Sequence, residues 1–125
     1  MNSRTTFTIG AALGMLGVAV GAFGAHAIKP MLIETGRVDT FELAVRYQFY
    51  HALALLVAGI LQHLFRVTLF AYASRLFVAG VFLFSGSLYL LCFTQIKTFA
   101  MITPIGGVAL IAGWLCLLAG IYKIR

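Results

Sequence analysis

Residues 10–24 read GAALGMLGVAVGAFG, placing Gly10, Gly14, Gly17, Gly21 and Gly24 at spacings of four, three, four and three. On a helix of about 3.6 residues per turn this rhythm keeps all five on one narrow stripe. In water each glycine would cost a helix roughly 1 kcal/mol against alanine. In a bilayer the backbone must satisfy its own hydrogen bonds, so the helix is enforced, and a glycine stripe lets a second backbone come close. The end of the chain repeats the device with Gly106, Ala109, Gly113, Cys116 and Gly120. The expectation is an all-α membrane protein whose first and last helices are built for tight packing through these glycines.

Composition agrees. The chain has 125 residues, 62% of them hydrophobic and only 10% charged, with a mean hydropathy of +1.05. So little charge cannot cover the surface of a soluble domain of this length, and a bilayer must solvate most of it. A spanning helix takes about 20 mainly apolar residues. Four such runs fit, near residues 7–28, 47–65, 76–93 and 104–122, as one four-span domain. No room remains for a soluble catalytic or nucleotide-binding domain, and no Gly-rich phosphate loop follows a strand. The first run also has features of a signal peptide, with Arg4 before it and Ala25-His26-Ala27 after it. Its apolar stretch exceeds the about 7–15 residues of a signal core, so it is read as a retained span.

Nine Lys/Arg against three acids give a formal charge of +6. The basic residues stand singly at helix ends, a membrane-flanking pattern rather than a nucleic-acid patch. Four spans put both termini on one side, with Arg4, Arg66, Arg75, Lys123 and Arg125. Lys29, Arg37, Arg46 and Lys97 fall on the other side, and this Lys/Arg bias places the termini in the cytoplasm of a cell (inner) membrane. Cys92 and Cys116 lie near opposite ends of their helices, too far apart for a disulfide. Two cysteines without a Cys/His cluster give no zinc signature.

Lys29-Pro30 closes the first span, because proline cannot continue the helix. Met31–Val38 reads as an interfacial loop or short surface helix. Asp39-Thr40-Phe41-Glu42 has capping-box spacing with Asp39 at the N-cap. Glu42 and Arg46, one turn apart, are expected to pair at the water boundary; the other reading of Arg46 is a functional charge inside the membrane. Thr103-Pro104 reads as an N-cap hydroxyl followed by proline at the first helical position. The eleven phenylalanines are read as mostly lipid-facing bulk, and Tyr72, Trp114 and Tyr122 in part as interfacial anchors.

Polar groups inside a bilayer mark where function usually resides. Tyr47, Tyr50, His51, Ala54, Ala58 and Gln62 share one face of the second helix; Ser85, Tyr89 and Cys92 share a stripe of the third. Counting helical rise inward from the ends sets His26, His51, Tyr89 and Thr103 near one interface. His26, Tyr47, Tyr50, His51, Ser85, Tyr89 and Thr103 are thus the candidate polar or ligand shelf. Two readings of the histidines stand: hydrogen-bonded groups pinning helix ends together, or a metal, haem, proton or lipid-headgroup site. No carboxylate or thiolate accompanies them, so no metal and no cofactor is expected. With all three acids in or next to one loop, no Ser-His-Asp arrangement forms and no catalytic residue is assigned.

Gly21-Ala22-Phe23-Gly24-Ala25-His26, Tyr47-Gln48-Phe49-Tyr50-His51, Phe84-Ser85-Gly86-Ser87-Leu88-Tyr89, Thr103-Pro104-Ile105-Gly106-Gly107 and Gly113-Trp114 together resemble domain-of-unknown-function family 423, motif by motif along the whole chain. The resemblance implies a small integral membrane protein of about four spans and assigns no reaction. The functional expectation is a non-enzymatic structural or accessory component that packs with itself or with a membrane complex, its partners being the lipid bilayer and other membrane protein rather than nucleic acid. The alternative is a small transporter, or a proton- or lipid-headgroup-binding protein, working through the His/Tyr shelf.

Overall fold

The computed structural model describes all 125 residues. The chain forms α1 (Ser3–Ala25), a short α2 (Lys29–Thr35), α3 (Val38–Leu64), α4 (Thr68–Thr94), a 3-10 turn (Lys97–Met101) and α5 (Thr103–Tyr122). There are no strands, and four helices are long and apolar enough to cross a membrane. The fold is an all-α bundle of membrane-spanning helices.

Local chemistry sets the ends. Asn2 caps α1, its side-chain oxygen accepting from the Thr5 N–H at 2.8 Å. The surface segment is a true helix, with Pro30 in its first turn. It closes on Gly36 in the left-handed region at φ 68°, where Arg37 N–H bonds back to Leu32 O at 2.8 Å. That 6→1 bond is a Schellman closure, and it turns the chain straight into α3. α3 therefore begins at Val38, with Asp39 inside its first turn rather than at the cap. Ile102 occupies the cap position of α5, and Thr103 is already helical, with Pro104 beside it. Gln95 closes α4 in the left-handed region at φ 58°. Its side chain accepts from Arg37 Nε at 3.0 Å and donates to Cys92 O at 2.8 Å, tying the α2–α3 corner to the end of α4.

The helices pack in series. α1 lies on α3, α3 on α4 and α4 on α5, while α1 and α5 share no comparable interface. The glycine stripes make the two outer interfaces. A Cβ at Gly10 would meet Ala52 O and Leu55, one at Gly17 would meet Gln48 and Phe49, and one at Gly21 would meet Val45, while Gly24 seats the Phe41 ring and Gly14 faces Ala52. On the other side Gly106 abuts the Phe84 backbone, Gly113 faces Phe77 and Gly120 faces Phe70. Every step of seven down α5 matches a step of seven up α4, the repeat that keeps two antiparallel helices in register along a left-handed seam.

Three phenylalanines are exceptions to the lipid-facing reading. Phe41, Phe70 and Phe77 are the buried partners of glycines, and Phe7 fills a notch at Gly59. A large ring set against a residue with no side chain restores interior packing density where two backbones approach.

Candidate functional site

α3 is packed on two sides, so it buries a wide face: Phe41, Ala44, Gln48, His51, Ala52, Ala54, Leu55, Ala58 and Gly59. His51 is the central residue of the helix's 27 and is 5% exposed. Its ring lies in an aromatic box, 5.5 Å from Phe77 and 5.9 Å from Trp114, with those two rings 5.1 Å apart. Tyr47 adds a fourth ring 6.0 Å away and stacks on Phe84 at 4.5 Å.

Both imidazole nitrogens are engaged. Trp114 Nε1 lies 3.0 Å from His51 Nε2, and Nδ1 lies 2.8 Å from Tyr47 O. An indole N–H can only donate, so Nε2 must offer its lone pair. The remaining proton then sits on Nδ1 and points at a carbonyl that can only accept. The partners dictate a neutral ring of one tautomer. Protonating Nε2 would turn two N–H groups against each other, and a metal would have to displace the indole.

A second connection runs across three helices. Tyr89 OH donates to Gln48 Oε1 at 2.6 Å, and Gln48 Nε2 donates to Leu13 O at 2.9 Å. The amide passes Gly17, where a Cβ would be in van der Waals contact with it at 3.5 Å. Nearby, Ser85 Oγ donates to Ala44 O at 2.7 Å, and Ser87 Oγ meets Thr103 Oγ1 at 2.6 Å, joining α4 to α5. Toward the chain termini Thr6 Oγ1 donates to Gln62 Oε1 at 2.7 Å, whose amide donates to Met1 O at 3.2 Å. No buried side-chain polar atom lacks a partner, and no three His, Cys, Asp or Glu side chains converge.

The seven shelf residues are not gathered into one place. His26 is exposed at the end of α1. Gly24 faces Phe41 and Gly10 faces Ala52 and Leu55, so His26 falls level with the first turn of α3. His51 lies about twelve residues, roughly 18 Å, deeper along the bundle. The expectation of a shared interface depth rests on measuring depth from the start of the apolar run near 47; measured along the whole of α3 from Val38, His51 is at mid-helix. Tyr50 points away from the packed side and is 54% exposed. Tyr47, Ser85, Tyr89 and Thr103 take part in the contacts above, spread over several levels. Gln48, Trp114, Ser87 and Thr6 were absent from the shelf. Gln48 had a signal, an amide inside an apolar run; Trp114 had none, because its indole looks identical in an interfacial anchor.

Arg46 also departs from expectation. It leans on the Glu42 carbonyl, Nε to O 3.5 Å, rather than on the Glu42 carboxylate. Arg75 stands inside α4, not in a connecting loop, and its guanidinium lies over the Tyr72 ring, 5.6 Å from the centroid.

A family model described as a protein of unknown function, DUF423, matches residues 20–107. A UPF0382 membrane protein of Staphylococcus aureus (strain bovine RF122 / ET3-1) is 43% identical over 92% of this chain and 93% of its own length. A UPF0382 membrane protein of Staphylococcus haemolyticus is 42% identical over the same shares. The UPF0382 inner membrane protein YgdD of Escherichia coli K12 is 37% identical over 100% of this chain and 95% of its own. No solved structure matches.

Proposed function

The chain belongs to the DUF423 family of integral membrane proteins, and within it we propose a non-enzymatic structural or accessory component of the cytoplasmic (inner) membrane, a single four-span domain with both termini in the cytoplasm. The observation that carries this reading is the closed hydrogen-bonding state of His51. Its two nitrogens are matched by one obligate donor, Trp114, and one obligate acceptor, the Tyr47 carbonyl. A group so matched ties α3 to α5 and has no free site for a proton, a metal or a substrate, which speaks against the carrier reading. The Gln48 connection does the same work between α1, α3 and α4.

Both glycine stripes face helices of the same chain, so they no longer argue for self-association. Packing with a second copy or with a membrane complex would use the outward faces of α1 and α5, where Met15, Val18, Ile111 and Leu115 are exposed. Five Lys/Arg on the terminal side against four on the other support cytoplasmic termini.

A double-mutant cycle tests the reading. His51→Leu and Trp114→Phe should each lower thermal stability in mild detergent, and the double variant should lose less than their sum, because removing both partners leaves nothing unpaired. Strict additivity would contradict the lock.

A further inference from the structure

Beneath α2, beside the contact between α1 and α3, lies a half-open pocket of about 330 Å³. Gly21, Gly24, Val38 and Val45 are among its lining residues, and Lys29, Glu42 and Arg46 are its charged ones. A second depression of about 340 Å³ shares Gly21, Val45 and Arg46 with it and continues along α1 and α3 past Val18, Ala22 and Phe49. The two form one groove with a charged mouth and an apolar body.

The charges are not consumed internally. Arg46 has a single long bond, to the Glu42 carbonyl at 3.5 Å, and neither cation is within ion-pair reach of the carboxylate. Two cations against one carboxylate leave the mouth one positive charge in excess. Arg46 stands about two turns, roughly 12 Å, into α3, at the boundary where an unbalanced charge is costly and a long side chain reaches back toward the headgroups.

We propose that this groove is a binding site for one anionic phospholipid. Its phosphodiester sits between Lys29 and Arg46 and one acyl chain lies along Val18, Ala22 and Phe49. A headgroup of net charge −1 neutralises the mouth; a zwitterionic headgroup leaves the excess in place. A guanidinium and an ammonium are the two side chains best suited to a phosphate, the first by paired N–H donors and the second as a point charge. Glu42 opposes a second negative charge in the mouth and so limits affinity.

The test is native mass spectrometry of the full chain in mild detergent, titrated with phosphatidylglycerol and with phosphatidylcholine of the same acyl chains. The expected result is a one-to-one adduct that strongly favours phosphatidylglycerol. Arg46→Gln should weaken it about tenfold, the loss of one charge-assisted contact, and Glu42→Gln should strengthen it. Ala22→Phe, which fills the apolar body without touching a charge, should weaken both lipids alike and reads the site independently should Arg46→Gln fold poorly. Equal retention of the two lipids, or wild-type retention by both Arg46→Gln and Ala22→Phe, would overturn the assignment.

Discussion

Trp114, near the middle of α5, places its indole nitrogen 3.0 Å from Nε2 of His51, the central residue of α3. The two helices otherwise meet little, since α4 lies between them in the packing order. One hydrogen bond thus spans the gap left by a serial arrangement, within a cluster of aromatic rings.

The glycine–phenylalanine seam gives a prediction in which position matters more than chemistry. Gly113→Ala sets a Cβ 2.7 Å from the Phe77 ring, and such overpacking typically costs about 1–3 kcal/mol. Gly86→Ala, where a Cβ meets nothing within 4 Å, should be neutral or stabilising. Thermal unfolding in detergent compares them. Equal stability of the two variants would mean that α4 and α5 do not approach as described.

Gln48 should prove worth more than either of its partners. Gln48→Leu strands the Tyr89 hydroxyl and also releases Leu13 O from its second bond, whereas Tyr89→Phe strands only Gln48 Oε1 and leaves the bond to Leu13 in place. Interhelical hydrogen bonds in membranes average ~0.6 kcal/mol, with a maximum near 1.7. We expect Gln48→Leu to lie toward the upper figure and Gln48→Leu/Tyr89→Phe to recover part of it. A double variant weaker than Gln48→Leu by the full Tyr89→Phe loss would contradict the connection.

Orientation is checked by cysteine accessibility in a background lacking Cys92 and Cys116. Thr35→Cys on α2 and Thr68→Cys at the start of α4 should label from opposite sides of the membrane, with position 68 cytoplasmic. Labelling of both from one side would break the four-span arrangement; the inverse pattern would overturn the cytoplasmic termini alone.

Much of the architecture was legible because it rests on periodicity. The 4-3-4-3 glycine rhythm identifies packed faces, and run length counts the spans. Depth was harder to read. Glu42 and Arg46 interrupt the apolar run after the helix has begun at Val38, so counting depth from residue 47 puts His51 close to the surface and level with His26. The partners of the glycines were also hidden, since Phe41, Phe70 and Phe77 look like lipid-facing bulk until the register of two helices is known. The His51–Trp114 bond joins elements that are neither adjacent in sequence nor packed backbone to backbone, and no spacing rule reports such a pair.

The most direct measurement is nitrogen-15 NMR of His51 in the full chain, reconstituted in lipid nanodiscs and followed from about pH 5 to pH 8, the range in which an unperturbed imidazole titrates. The account predicts a neutral ring protonated on Nδ1, unchanged across the range, and Trp114→Phe should release it from that single tautomer. An imidazolium signal growing in toward pH 5, in protein that stays folded, would contradict the lock and return His51 to the candidates for proton transfer.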